Sequence, residues 1–91
     1  MESLDKAKKM IVKMGKCKAA YTVAHAAASA CNQNYGVSLL RISAGLDYQN
    51  KELVAELFNI TNQADYSNAD QDEMMHWLSI NGWLESTPKT I

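Results

Sequence analysis

The sequence predicts an all-α protein, a compact bundle of about four helices that begins with a long N-terminal helix. Three observations predict it. Apolar residues recur at three- and four-residue steps along most of the chain, which is the spacing of a helix face. Glycine occurs only at positions 15, 36, 45 and 82 and proline only at 88, so breaks are few and well separated. No internal repeat and no low-complexity linker divides the 91 residues, which read as one domain over 1–91 with a flexible tail at 85–91.

The first helix opens with Ser3 as the expected N-cap and Asp5 in its first turn. Leu4, Ala7, Met10, Ile11 and Met14 then fall on one face, and Lys6, Lys9, Lys13 and Lys16 form a stripe displaced from it by more than ~90°. The apolar pattern continues through Cys17, Tyr21, Ala24, Ala28 and Cys31 to Tyr35 in alternating steps of four and three, as a heptad seam does. Gly15 interrupts it. A glycine inside a helix costs roughly 1 kcal/mol relative to alanine, so the expectation is one helix that is continuous or mildly bent near Gly15.

Asn32 to Gly36 ends this helix, with Gly36 free to take the left-handed conformation. Residues 37–44 fit two patterns: Val37, Leu40 and Ala44 a helix, Val37 and Leu39 a strand. A short buried helix is the expectation. Gly45 stops it, Asp47 or Asn50 caps the next, and Leu53, Leu57, Ile60 and Ala64, flanked by Val54 and Phe58, give that helix a broad apolar face. The last helix has the sharpest ends. Ser67 to Asp70 resembles a capping box with aspartate for the usual glutamate, and Asn81-Gly82 is a stop signal that places Trp83 where a Schellman cap folds it back on Leu78.

Composition narrows the function classes. At 47% hydrophobic the chain is too apolar for intrinsic disorder, yet no apolar run approaches the ~18 residues that span a bilayer, so no membrane is expected. Charges recur through the first eighteen residues where a signal peptide would be apolar, and a cytoplasmic location is the expectation. On one helix Cys17 and Cys31 would lie ~21 Å apart, beyond disulfide reach, so both read as reduced packing residues. Net charge is −1, but residues 1–41 hold seven Lys or Arg against two acids, and residues 42–91 hold two against eight. That asymmetry packs one half on the other, joins two copies of the chain, or presents a basic face to an anionic partner.

No catalytic, cofactor or metal site is expected. Glu73 and His76 form a Glu-x-x-His step of the kind that contributes ligands to two-metal bundles, but a single copy is present, and His76 falls opposite the inward Met74 and Leu78. His25 sits among alanines with no assignable carboxylate partner, and reads as a histidine at the edge of the core, satisfied by a backbone carbonyl or water.

What remains is binding. Met75, Trp77 and Trp83 spread apolar surface beyond the inward face of the last helix and are the expected contacts to another protein. The small-residue seam Tyr21, Ala24, Ala28 and Cys31 is the expected self-association surface of a homo-oligomer. The predicted function is accordingly a protein–protein interaction module, such as a stoichiometric inhibitor, adaptor or accessory factor of a larger complex. Nucleic-acid binding is the alternative, with Lys6, Lys9, Lys13 and Lys16 as the anion-binding stripe.

Overall fold

The computed structural model describes residues 1–91. It contains five α-helices: α1 (Glu2–Met14), α2 (Lys18–Cys31), α3 (Leu39–Gly45), α4 (Tyr48–Phe58) and α5 (Asn68–Ile80), with one 3₁₀ turn at Ile60–Asn62. The all-α bundle matches the fold class expected from the sequence. Its helix count does not, because the long N-terminal helix is two helices.

Gly15 ends α1. Its φ of 71° lies in the left-handed region that only glycine enters without strain, and Cys17 is extended before α2 begins. A glycine carried through a helix would cost only ~1 kcal/mol, which is why a continuous helix is the expectation from sequence. Packing outweighs that local preference: breaking the chain at Gly15 lets α1 lie against α2 and bury Leu4, Ala7 and Ile11. Ser3, expected as the N-cap, is instead inside the helix and buried, and its hydroxyl donates to Gln63 Oε1 at 2.6 Å.

Helix α2 is the axis of the molecule. It packs against α1, α3, α4 and α5, and eight of its fourteen residues are buried, Ala24 and Ala28 without any exposure. A helix covered on all sides must be apolar or small all round, and alanine lets neighbouring backbones come close. Around it α4 contributes Leu53 and Leu57, the 3₁₀ turn Ile60, and α5 Met74 and Leu78.

The ends of α4 and α5 are fixed by local chemistry. Asp47 accepts from Asn50 N–H at 2.9 Å, so the aspartate, not Asn50, is the cap. Ser67 caps α5, accepting from Asp70 N–H at 3.3 Å while its hydroxyl donates to Asp70 Oδ2 at 2.7 Å. At the other end Gly82 takes a φ of 76°, and Trp83 N–H donates to the Leu78 carbonyl at 3.0 Å and Gly82 N–H to the Ser79 carbonyl at 3.1 Å. These are the two bonds of a Schellman cap, as the sequence predicts. The final residues, expected as a flexible tail, return to the body: Gly36 N–H donates to the Lys89 carbonyl at 3.3 Å and Ile91 N–H to the Gly36 carbonyl at 3.0 Å.

Candidate functional site

Helix α3 overturns an expectation, and the site follows from it. The sequence predicts a buried helix here, yet none of its seven residues is buried. Ser38 caps it, accepting from Arg41 N–H at 3.4 Å, and Val37 and Ile42 pack partly on the core. Leu39 and Leu40 point away, 82% and 75% exposed. Phe58 at the end of α4 is 85% exposed, although its place beside Leu57 suggests an inward flank of that helix. Ala64, expected on the same inward face, is also exposed, because the chain leaves α4 at Phe58 and turns through Ile60–Asn62.

Between α3 and α4 lies a groove of about 360 Å³. Leu39 and Ile42 form one wall and Val54, Leu57 and Phe58 the other, with Ala26 and Ala30 of α2 also lining it. Ser29 and Thr61 are its only polar residues, and it contains no charged side chain. Sites for polar small molecules carry a few convergent polar groups that fix orientation. This groove offers apolar walls to apolar side chains. Sequence reasoning misses it because a period of 3.6 reports which residues share a face and says nothing about whether that face is covered.

The residues singled out from the sequence are dispersed. Trp83 is 7% exposed and belongs to the core, because the Schellman cap turns it inward, and the Lys16 ammonium lies 3.7 Å from its ring centroid. It therefore presents no anchor to a partner. Met75 and Trp77 are half-buried, packed against the core from α5. In the seam, Ala24 and Ala28 are enclosed by the protein's own helices and have no surface to offer a second copy. Tyr21 and Cys31 at its ends are half-buried. The small residues predict a close approach correctly, but the helices packed on α2 belong to the same chain.

The lysine stripe is divided too. Lys6 bonds Glu56 at 3.0 Å and lies 3.6 Å from Glu2, and the Glu56 carboxylate raises its pKa above the ordinary lysine value. Lys16 donates to the Asn81 carbonyl at 3.0 Å, placing positive charge at the C-terminus of α5, where the helix dipole favours it. Lys9 and Lys13 form no ion pair with any carboxylate of the chain.

His25 is buried in α2, its Nδ1 3.1 Å from the Tyr21 carbonyl. A carbonyl only accepts, so Nδ1 carries the hydrogen and Nε2 is the bare nitrogen, which has no partner. Tyr21 and Tyr35 flank the ring at centroid distances of 4.3 and 6.4 Å. Loss of hydration lowers its pKa below the ordinary histidine value, and Lys89 and Arg41 act in the same direction. Burial, with the Asp70 charge adding to it, pushes the Cys31 thiol up to about 11, whereas Cys17 is exposed. His76 is exposed, and no group of three or more His, Cys, Asp or Glu side chains is placed to hold a metal ion.

No protein-family model matches the chain, and neither the curated proteins nor the solved structures contain a significant match to it.

Proposed function

We propose that the protein acts by binding another protein, and that the groove between α3 and α4 is where an apolar helix face of the partner seats. One observation carries this reading: Leu39 and Phe58, two of the six large hydrophobic residues left exposed, line a groove without charge from α3 and from the end of α4. Isolated exposed hydrophobics are ordinary on a soluble surface, but a contiguous set around a concavity is the usual form of an interaction site. The uncharged lining selects apolar side chains at helical spacing over an extended polar segment. The chain then serves as an inhibitor, adaptor or accessory factor that works by occupancy and without catalysis.

The anchors are Leu39 and Phe58 in place of Trp83, and any self-association uses this groove and not the alanine seam. The test is affinity capture with the wild-type chain and with Leu39→Asp and Phe58→Asp, alongside light scattering. A partner lost with both substitutions supports the reading. A partner retained by both refutes it, and a wild-type dimer that both substitutions make monomeric identifies the partner as a second copy.

A further inference from the structure

A second surface lies between α1 and α5. Val12, 69% exposed, and Trp77, half-exposed, meet across α1 and α5 in an open depression of about 370 Å³ whose remaining lining is Lys8, Lys9 and Lys13. The pairing of these residues comes from the fold. The lysines follow from α1, and Trp77 reaches them because α5 presents Glu73 to Lys8 at 3.1 Å, with the Lys8 ammonium 5.9 Å from the Trp77 ring centroid. Lys8 is thus partly neutralised, while Lys9 and Lys13 form no ion pair within the chain.

We infer that this depression binds an acidic segment of a partner protein that carries an apolar side chain between its carboxylates. The apolar residue covers Val12 and the exposed part of Trp77, and the carboxylates meet Lys9 and Lys13. Charge complementarity selects this occupant: the chain carries −1 overall, yet all the charged side chains of this lining are cationic. A nucleic-acid strand fits less well, because phosphates need a cationic track. On one side the patch is bounded by Glu73. On the other, Lys9 and Lys13 border a hollow lined by Glu52 and Glu56.

The experiment titrates the full chain with a capped peptide of repeated Glu-Glu-Leu-Leu units, with its Gln-Gln-Leu-Leu counterpart, and with oligothymidylate, following tryptophan emission at low salt. The acidic peptide should bind and shift the Trp77 signal, and binding should weaken as salt rises. The glutamine peptide should bind several-fold more weakly. Substituting both Lys9→Gln and Lys13→Gln, with helical content checked by circular dichroism, should weaken the acidic peptide by about 2- to 30-fold and leave the glutamine peptide unchanged, as two exposed charge contacts would. Equal affinity for the two peptides, no binding of either, or tighter binding of oligothymidylate overturns the inference. So does loss of acidic-peptide binding on Leu39→Asp, since that would place the peptide in the α3–α4 groove; retained binding in that variant supports a separate site.

Discussion

Phe58 and Leu57 are neighbours in sequence and opposites in environment, which makes them a controlled test of where surface ends and core begins. Leu57 is 3% exposed and Phe58 85%. Burying a large apolar side chain completely is worth ~1.5–3 kcal/mol, and only 15% of Phe58 is covered, so Phe58→Ala forfeits about 0.2–0.5 kcal/mol of stability. The higher helix propensity of alanine offsets much of that. Leu57→Ala empties a packed position and should cost ~2–5 kcal/mol. In a domain of this size about 1 kcal/mol shifts the melting temperature by ~4–8 °C, so a thermal melt followed by circular dichroism should show Phe58→Ala within a few degrees of wild type and Leu57→Ala at least ~8 °C lower. Binding should run the other way. An anchor in a desolvated groove costs ~2 kcal/mol or more when truncated, roughly a 30-fold weakening, so Phe58→Ala should lose a captured partner while remaining folded. A Phe58→Ala protein destabilised by more than ~1.5 kcal/mol would show that Phe58 serves the fold. A stable variant that keeps every partner of the wild type would remove the groove from the function.

Three further outcomes are expected of the same structure. Gly15→Ala should lower stability by about 1–3 kcal/mol, because alanine at a φ of 71° and ψ of −170° is strained although nothing lies within 4 Å of the added carbon; a stabilised variant would mean the α1–α2 break is not obligatory. With a thiol-reactive chromophore at pH 8, Cys17 should react fast and Cys31 slowly, since burial pushes the Cys31 thiol up to about 11; two equal fast phases in wild type, or an undiminished fast phase in Cys17→Ser, would contradict this. Burial lowers the His25 pKa in the fold, so between the unfolded-chain pKa near 6.5 and its lower folded value the unfolded state binds the extra proton and stability falls as the pH falls. Lys89 and Arg41 reinforce this, and the hydrogen bond to the Tyr21 carbonyl and, more weakly, Glu85 oppose it. Urea melts of wild type and His25→Gln at pH 7.5 and 5.5 should show the larger loss in wild type, and parallel losses would exclude His25 as the cause.

The parts of this fold that are legible in the sequence are those governed by residues within a few positions of one another. Ser67 with Asp70, and Asn81-Gly82 with Trp83, close α5 where their chemistry predicts, because capping bonds are local. Met74 and Leu78 face inward for the same reason of short range. The candidate site is not legible. Whether Leu39 and Phe58 are covered depends on where α2 and α4 run in space, and the heptad-like seam of α2 carries no mark of whether its partner belongs to the same chain. Gly15 lies between the two cases: its rarity is visible in sequence, while the packing that makes a break preferable to a bend is tertiary. The lysines look like one stripe on a helical projection and are divided by the acids of α4 and the end of α5, both more than forty residues away.

The central position of α2 has a practical consequence for finding what this protein binds. The second helix along the chain depends on Leu53 and Leu57 of the fourth and Met74 and Leu78 of the fifth for its cover, so a fragment ending before α5 would leave α2 open to water along one side. Deletion mapping would then report stickiness of an uncovered core as though it were recognition. Single substitutions at exposed positions in the intact chain are the experiment that this architecture permits.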